Sequence, residues 1–383
     1  MTANLQKTLH VLIVPDKFKG TLTASQAAEA IARGWRRQRP RDILTLCPMS
    51  DGGDGFGSVT GQALHAEARA THTVDAAHRP LKATWWWVAE SRTAIIESAR
   101  VIGLAQLPPG RFHPFELDTA GLGAVFQDAA KLGARRCWIG IGGSATNDAG
   151  FGLARALGWR FWTRQGAPIE CWTDLRFLAR LEPPKGLRLP ELRVAVDVRN
   201  TLLGVHGATR VYGPQKGLTP ADFPLAEACF KRLRKVMRDL RGTDLAREPG
   251  TGAAGGLGFG LRVFLNARLE SGFEVFARAA NLRAAVKSAD LVLTGEGAID
   301  TSTVMGKGVG EVAWLCRKNG VPCCGLGGGV ERNPKVQKAF AALFGIVPDL
   351  TNLQEAKKRS GYWLEKLAAQ AAAVRVEDKK RPC

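Results

Sequence analysis

Carboxylates, lysines and glycines recur together where apolar runs of this chain end. The fullest case is Gly140-Ile141-Gly142-Gly143-Ser144-Ala145-Thr146-Asn147-Asp148, which follows Cys137-Trp138-Ile139 and precedes an alanine-rich helical pattern. Glycine lacks the Cβ that would hold an anion away from backbone N–H groups, and a following helix N-terminus adds partial positive charge. Ser144, Thr146 and Asn147 add side-chain donors. The segment reads as a loop for a phosphate or carboxylate. A plain turn with a hydroxyl capping the helix would use the same residues. Gly140–Ala145 also fits the G-x-G-x-x-A dinucleotide fingerprint, but the acidic residue expected about twenty positions on has no strand to sit on. Glu170 is nearest, in a polar stretch.

The other loops complement this one. Asp16-Lys17-Phe18-Lys19-Gly20 ends the first apolar run, and Lys17 and Lys19 offer cations for a phosphate or carboxylate. Asp51 and Asp54 sit among Gly52, Gly53 and Gly55 with little steric cover. Hard cations such as Mg²⁺ prefer such carboxylates and keep several waters; an Asp/Gly-rich turn is the alternative. Asp197 ends Val194–Val198 and is followed by Asn200, then by Gly213-Pro214-Gln215-Lys216-Gly217. Gly255 and Gly256 close a second Gly/Ala-rich loop, and Thr294-Gly295-Glu296-Gly297-Ala298-Ile299-Asp300 closes the set. In a phosphoryl transfer, Asp197 is expected to take the acceptor's proton, and Lys17 and Lys216 to hold the transferring group as point charges. A loop-capping role for Asp197 stays open. The expected substrate and phosphate contacts are Lys19, Gly142, Gly143, Ser144, Thr146, Asn147, Asp148, Asn200, Gln215, Gly255, Gly256, Thr294, Gly295, Glu296 and Asp300, with Asp51 and Asp54 as metal ligands.

The elements that carry these loops alternate as in a parallel α/β sheet. Leu9–Val14 reads as a strand, followed by a helix capped near Thr23 with Ala27, Ala28, Ile31 and Trp35 at helical spacing. Ile43–Cys47 is the next strand. Near the other end, Ala289–Leu293, a helix over Gly308–Asn319, a strand over Val321–Leu326, a strand over Phe344–Val347 and a helix over Leu353–Val374 repeat the logic. In the middle, Trp85–Ala89 and Ala94–Glu97 read as a hairpin. Ala120–Leu132, Thr146–Leu157 and Ala221–Leu240 read as helices, and Arg136–Ile141 and Arg193–Val198 as strands. Trp85-Trp86-Trp87 fits core and strand face better than a cofactor stack. The expected fold is α/β. Residues 1–75 with 281–383 form a Rossmann-like domain, 76–280 form an inserted α/β domain, and the active site lies in the cleft between them. In open α/β sheets ligands bind beyond the carboxyl ends of strands.

Composition bounds the partners. The 383 residues include 54 basic and 35 acidic ones, a net charge of +19 that attracts anions. No zinc knuckle, helix-turn-helix or aromatic-interleaved basic motif accompanies it, so it reads as a solvated surface property and not as a nucleic-acid site. The eight cysteines form no C-x-x-C pair and read as reduced thiols. No apolar run reads as a signal peptide or membrane span, and the chain is expected to be soluble and cytoplasmic. A homo-oligomer is compatible with the chain. There is no P-loop, protein-kinase motif set, nucleophile elbow or H-E-x-x-H.

Taken in order, Val14–Thr23, Pro48–Gly55, Gly140–Asp148, Asp197–Asn200, Gly213–Gly217, Gly252–Gly258 and Leu293–Gly297 resemble the bacterial type I glycerate kinase family. The resemblance runs from about residue 10 to 350. It implies a two-domain α/β kinase that uses ATP and Mg²⁺ to phosphorylate D-glycerate, most often at the 2-hydroxyl. The chain departs from the pattern at Arg199, Thr201, Ala298 and Gly327–Gly329. An arginine at position 298 would offer a phosphate or substrate contact that Ala298 lacks. Two other readings compete: a dinucleotide-dependent oxidoreductase built on Gly140–Ala145, and a non-catalytic basic binding protein descended from a kinase. Retention of Asp51, Asp54, Asp148, Asp197, Glu296 and Asp300 argues against the second.

Overall fold

The strands, in chain order, are β1 His10–Pro15, β2 Ile43–Leu46, β3 Glu67–Val74, β4 Pro80–Val88, β5 Thr93–Glu97, β6 Arg136–Gly140, β7 Arg160–Thr163, β8 Leu178–Glu182, β9 Glu191–Val196, β10 Arg268–Ser271, β11 Leu291–Ile299, β12 Cys323–Val330 and β13 Ala342–Val347. They come from a computed structural model that describes residues 7–306 and 308–374. The chain divides into two compact units, residues 1–51 with 273–383 and residues 52–272. The first boundary falls at Asp51/Gly52 and not after 75, because β3 pairs along its length with β4.

The first unit, built from both chain ends, carries a parallel sheet ordered β13-β12-β11-β1-β2. The inner strands β1 and β11 carry nearly continuous buried apolar runs, as expected where both faces of a parallel sheet are covered. Val11, Ile13, Leu293 and Leu326 pack with Ala27, Ala28, Ile31 and Trp35 of the helix Ala24–Gln38, and with Leu364, Leu367 and Ala368 of the helix Ser360–Ala373. Thr23 closes a capping box: its Oγ1 accepts from Gln26 N at 3.2 Å and Gln26 Oε1 accepts from Thr23 N at 2.9 Å. Gly34 lets the two helices touch, since a Cβ there would lie 2.0 Å from the Glu365 carbonyl oxygen. From β1 the chain crosses to β2, and from β11 it crosses the other way to β12 and β13. The β1/β11 pair is therefore a topological switch point, with the following helices on opposite faces. The helix expected over Leu353–Val374 is two helices, Leu353–Lys358 and Ser360–Ala373, broken at Arg359 (φ −128°, ψ 45°).

The second unit holds a sheet ordered β10-β9-β6-β5-β4-β3 and a separate ribbon of β7 and β8. β5, β6, β9 and β10 run parallel, while β3 and β4 add an antiparallel edge. Trp85 and Trp87 alternate inward into the core, whereas Trp86 faces the opposite side over Gly57 and Gly61. The helix expected over Thr146–Leu157 begins only at Phe151. Ala149 (φ 51°) and Gly150 (φ 77°) take left-handed conformations that a helix cannot continue through. Among the described residues no disulfide forms and no helix is long and apolar enough to cross a membrane.

Candidate active site

In the first unit, the carboxyl ends of β1, β2 and β11 gather the acidic groups. Asp16 N donates to Gly295 O at 2.8 Å, and Thr294 Oγ1, fully buried, donates to Val14 O at 2.7 Å. These bonds lock the two strand ends at the switch point. Gly295 is required there, since a Cβ would meet Leu326 O at 2.2 Å. Asp16 lies against Asp51 and Glu296. Burial, and then the Asp51 and Glu296 charges, push its pKa up to about 7, against the Lys17 N–H and ammonium. Lys17 N donates to Asp16 Oδ1 at 2.7 Å. Lys19 is exposed. Glu296 accepts from Thr303 Oγ1 at 2.7 Å. Asp300 closes its own turn, accepting from Ser302 N at 2.7 Å and Thr303 N at 3.2 Å.

A raised carboxyl pKa means the folded protein holds this proton more tightly than the unfolded chain. The stability it contributes is present below the ordinary 3.8 and lost as pH rises through about 7. Asp16→Asn is expected to lose less stability than the wild type as pH rises from about 4 to about 7. Melting temperatures across that range check this, and parallel curves would reject it.

In the second unit, the Gly140–Asp148 loop follows β6, and the Gly52–Gly57 segment lies directly on it. Gly142 N donates to Gly52 O at 3.2 Å, and a Cβ on Gly142 would lie 2.6 Å from Gly53 Cα. Gly143 (φ 74°) leaves room for the Asp54 carboxylate, whose Oδ1 would be 1.9 Å from a Cβ there. The glycines that looked like an anion cradle thus admit a second loop and its aspartate. Glu97, at the end of β5, accepts from Gly55 N and Gly57 N at 2.9 and 3.0 Å. Sequence reasoning passed it over, although the rule that picked Asp197, a carboxylate ending an apolar strand, also selects Glu97.

Beyond Gly143 the loop turns inward. Ser144 Oγ and Thr146 Oγ1 are 3.0 Å apart. Asp148 is enclosed and clamps the fold, accepting from Thr119 N, Thr119 Oγ1 and Gly152 N at 3.0, 2.7 and 2.9 Å. Burial, reinforced by Asp118, raises its pKa to about 6. Lys216 is also buried and donates from Nζ to Thr146 O at 2.6 Å. Burial lowers its pKa to about 7, with the Asp148 charge pulling the other way. Gly255 (φ 67°) backs the same carbonyl, since a Cβ there would be 2.0 Å from Thr146 O, and Gly256 (φ 85°) packs on Ala149. Asn147 Nδ2 donates to Thr209 Oγ1 at 3.3 Å.

Asp197 follows β9 and is exposed. Its charge, after burial, helps push the Tyr212 pKa up to about 12. Tyr212 OH donates to Asn200 Oδ1 at 2.7 Å, and Asn200 Nδ2 donates to His206 O at 2.7 Å, so Asn200 organises its own loop. Gln215 is exposed, as are Arg199 and Ala298 at the positions of departure. The structure thus groups Asp16, Asp51 and Glu296 in one unit. In the other it groups Asp54 with Gly142 and Gly143, Thr146 and Asn147 with Lys216 and Gly255, and Asp197 with Asn200.

Among the described residues no set of three or more His, Cys, Asp or Glu side chains is arranged to hold a metal ion. Asp51, half-buried, and Asp54, exposed, are hard oxygen donors of the kind that Mg²⁺ takes one or two of, completing its shell with water and phosphate oxygens. The dinucleotide fingerprint fails on geometry, because Gly140–Ala145 does not open a helix.

The model of the Glycerate kinase family matches residues 11–376. A glycerate kinase from Halalkalibacterium halodurans is 37% identical over 370 residues, covering 95% of this chain and 97% of that protein. Glycerate 2-kinase from Escherichia coli is 33% identical over 359 residues, covering 91% and 93%. A crystal structure of a candidate glycerate kinase 2 from Salmonella typhimurium LT2 superposes with a TM-score of 0.83 at 32% identity, covering 96% of this chain and 98% of that one.

Proposed function

Since this chain belongs to the glycerate kinase family, we propose that it transfers the γ-phosphoryl group of ATP to the 2-hydroxyl of D-glycerate, giving 2-phosphoglycerate and ADP. It is a small-molecule kinase. The observation that supports the finer reading most is where the motif loops lie. Asp16, Asp51, Gly140–Asp148 and Asp197 follow or end parallel strands at their carboxyl ends, and Glu296 lies in the carboxyl-terminal half of β11, each in its own sheet, where α/β proteins bind ligands. The choice of the 2-hydroxyl follows the Escherichia coli relative.

Phosphoryl transfer asks the protein for positioning and for charge. Lys17 and Lys216 are the cations for the phosphoryl oxygens or the glycerate carboxylate. Asp197 orients the acceptor hydroxyl and takes its proton late in the transfer. Asp51 and Asp54 would hold Mg²⁺, which when bound offsets charge on the phosphate oxygens. Asp16 keeps a proton near neutral pH and so limits the negative charge beside Asp51 and Glu296.

The test is ADP release coupled to a spectrophotometric readout, followed by phosphorus NMR of the product. ADP formation is expected to require D-glycerate and Mg²⁺ and to yield the 2-phosphate. Glycerate-independent turnover would remove the substrate assignment. A 3-phosphate product would leave the kinase reading and overturn the regiochemistry.

A further inference from the structure

We propose that Glu97 is a positioning residue that fixes Asp54 for phosphoryl transfer, an inference that rests on the reading in which Asp54 serves the transfer site. Glu97 ends β5 and is 4% exposed. Each carboxylate oxygen has its own partner: Oε1 accepts from Gly55 N at 2.9 Å and Oε2 from Gly57 N at 3.0 Å. These N–H groups open the helix Phe56–Ala63, whose N-cap residue, Gly55, has no side chain to cap it. Glu97 supplies that cap from a different strand, and its charge suits a helix N-terminus.

The geometry extends to Asp54 because the residues on either side are anchored. Upstream, Gly52 O accepts from Gly142 N at 3.2 Å, and Gly52 (φ 101°) sits so close to Ala195 that a Cβ would lie 2.8 Å from its carbonyl oxygen. Downstream, Phe56 N donates to Gly53 O at 3.0 Å and Ser58 Oγ to Gly55 O at 3.0 Å. Asp54 lies between these anchors, with its carboxylate over the bare Cα of Gly143. A glycine-rich segment has little stiffness of its own, so Glu97 sets where Asp54 sits. Arg100, whose Nε is 3.9 Å from Oε1, is the cationic partner and is half-exposed.

Glu97→Gln replaces one acceptor oxygen with an NH₂ that faces a backbone N–H, and so removes one tether while keeping the volume. It is expected to lower kcat by about tenfold or more, the scale seen when groups that orient ligating residues are lost. Amide exchange at Gly55 and Gly57 should accelerate while that of β5 stays unchanged. Addition of Asp54→Asn should then cost little more than Asp54→Asn alone, because both act through one carboxylate. Two results would overturn the proposal: kcat of Glu97→Gln within about twofold of wild type, or additive losses in the double variant. Wild-type activity in Asp54→Asn would instead overturn the reading beneath it. Should Glu97→Gln lose its cooperative melting transition, Glu97→Asp, which shortens the reach, is measured in the same three ways.

Discussion

Asp197→Asn is expected to lower kcat by about 10²–10⁴, the usual contribution of a general base, with little change in unfolding midpoint or ATP affinity. Asp197 follows β9, at the carboxyl end of a strand inside the parallel part of its sheet. Exposure there suits a group that meets substrate, while Asn200, three positions on, organises the loop through His206 and Tyr212. Asparagine keeps the volume and one carbonyl acceptor but cannot take a proton. The variant also carries an internal check. The Asp197 charge is one cause of the high Tyr212 pKa, after burial, so ultraviolet titration should show Tyr212 ionising below about 12 in Asp197→Asn. If that shift appears and kcat drops less than about threefold, Asp197 is placed as described and is not the base. Suspicion then moves to Asp51 or Asp300. Of these Asp51 is the stronger, because Asp300 closes its own turn.

What could be read from residues alone was what local chemistry determines. The helix Ala24–Gln38 was legible because Thr23 and Gln26 cap each other within one turn and Ala27, Ala28, Ile31 and Trp35 share one face. The parallel sheet built from both chain ends was legible as apolar runs ending in polar loops. The start of the helix after Asp148 was not. Gly150 is held left-handed where a Cβ would lie 2.9 Å from Gly260 Cα, and that contact spans more than a hundred residues. The same limit hid the reason for Gly143, which is Asp54 lying over it. Asp148 looked like a ligand because it ends a glycine-rich loop, and only the fold shows Thr119 and Gly152 using its oxygens. Asp16 stood in plain view beside Lys17, but its raised pKa depends on Asp51 and Glu296, which the sheet brings to it.

Burial of Lys216 was equally invisible in sequence, and it leads to the other large expected effect. Lys216→Met should reduce kcat/KM by about 10²–10³, the range for losing one preorganised group that stabilises transition-state charge. The ammonium is enclosed and donates to Thr146 O, a carbonyl braced from behind by Gly255. A desolvated cation fixed in this way has little reorganisation left to do when phosphoryl charge arrives. The same burial brings its pKa from 10.5 down to about 7. Only the ammonium can hold an anion, so wild-type kcat/KM should fall as pH rises through about 7, and Lys216→Met should lack that limb. Stability should move the opposite way. Between about 7 and 10.5 the unfolded chain binds this proton and the folded protein does not, so the folded state gains as pH rises over that window. The wild type should therefore gain stability relative to Lys216→Met above neutral pH while losing activity. Parallel pH profiles of kcat/KM in the two proteins would show that Lys216 holds Thr146 in place without acting as the cation.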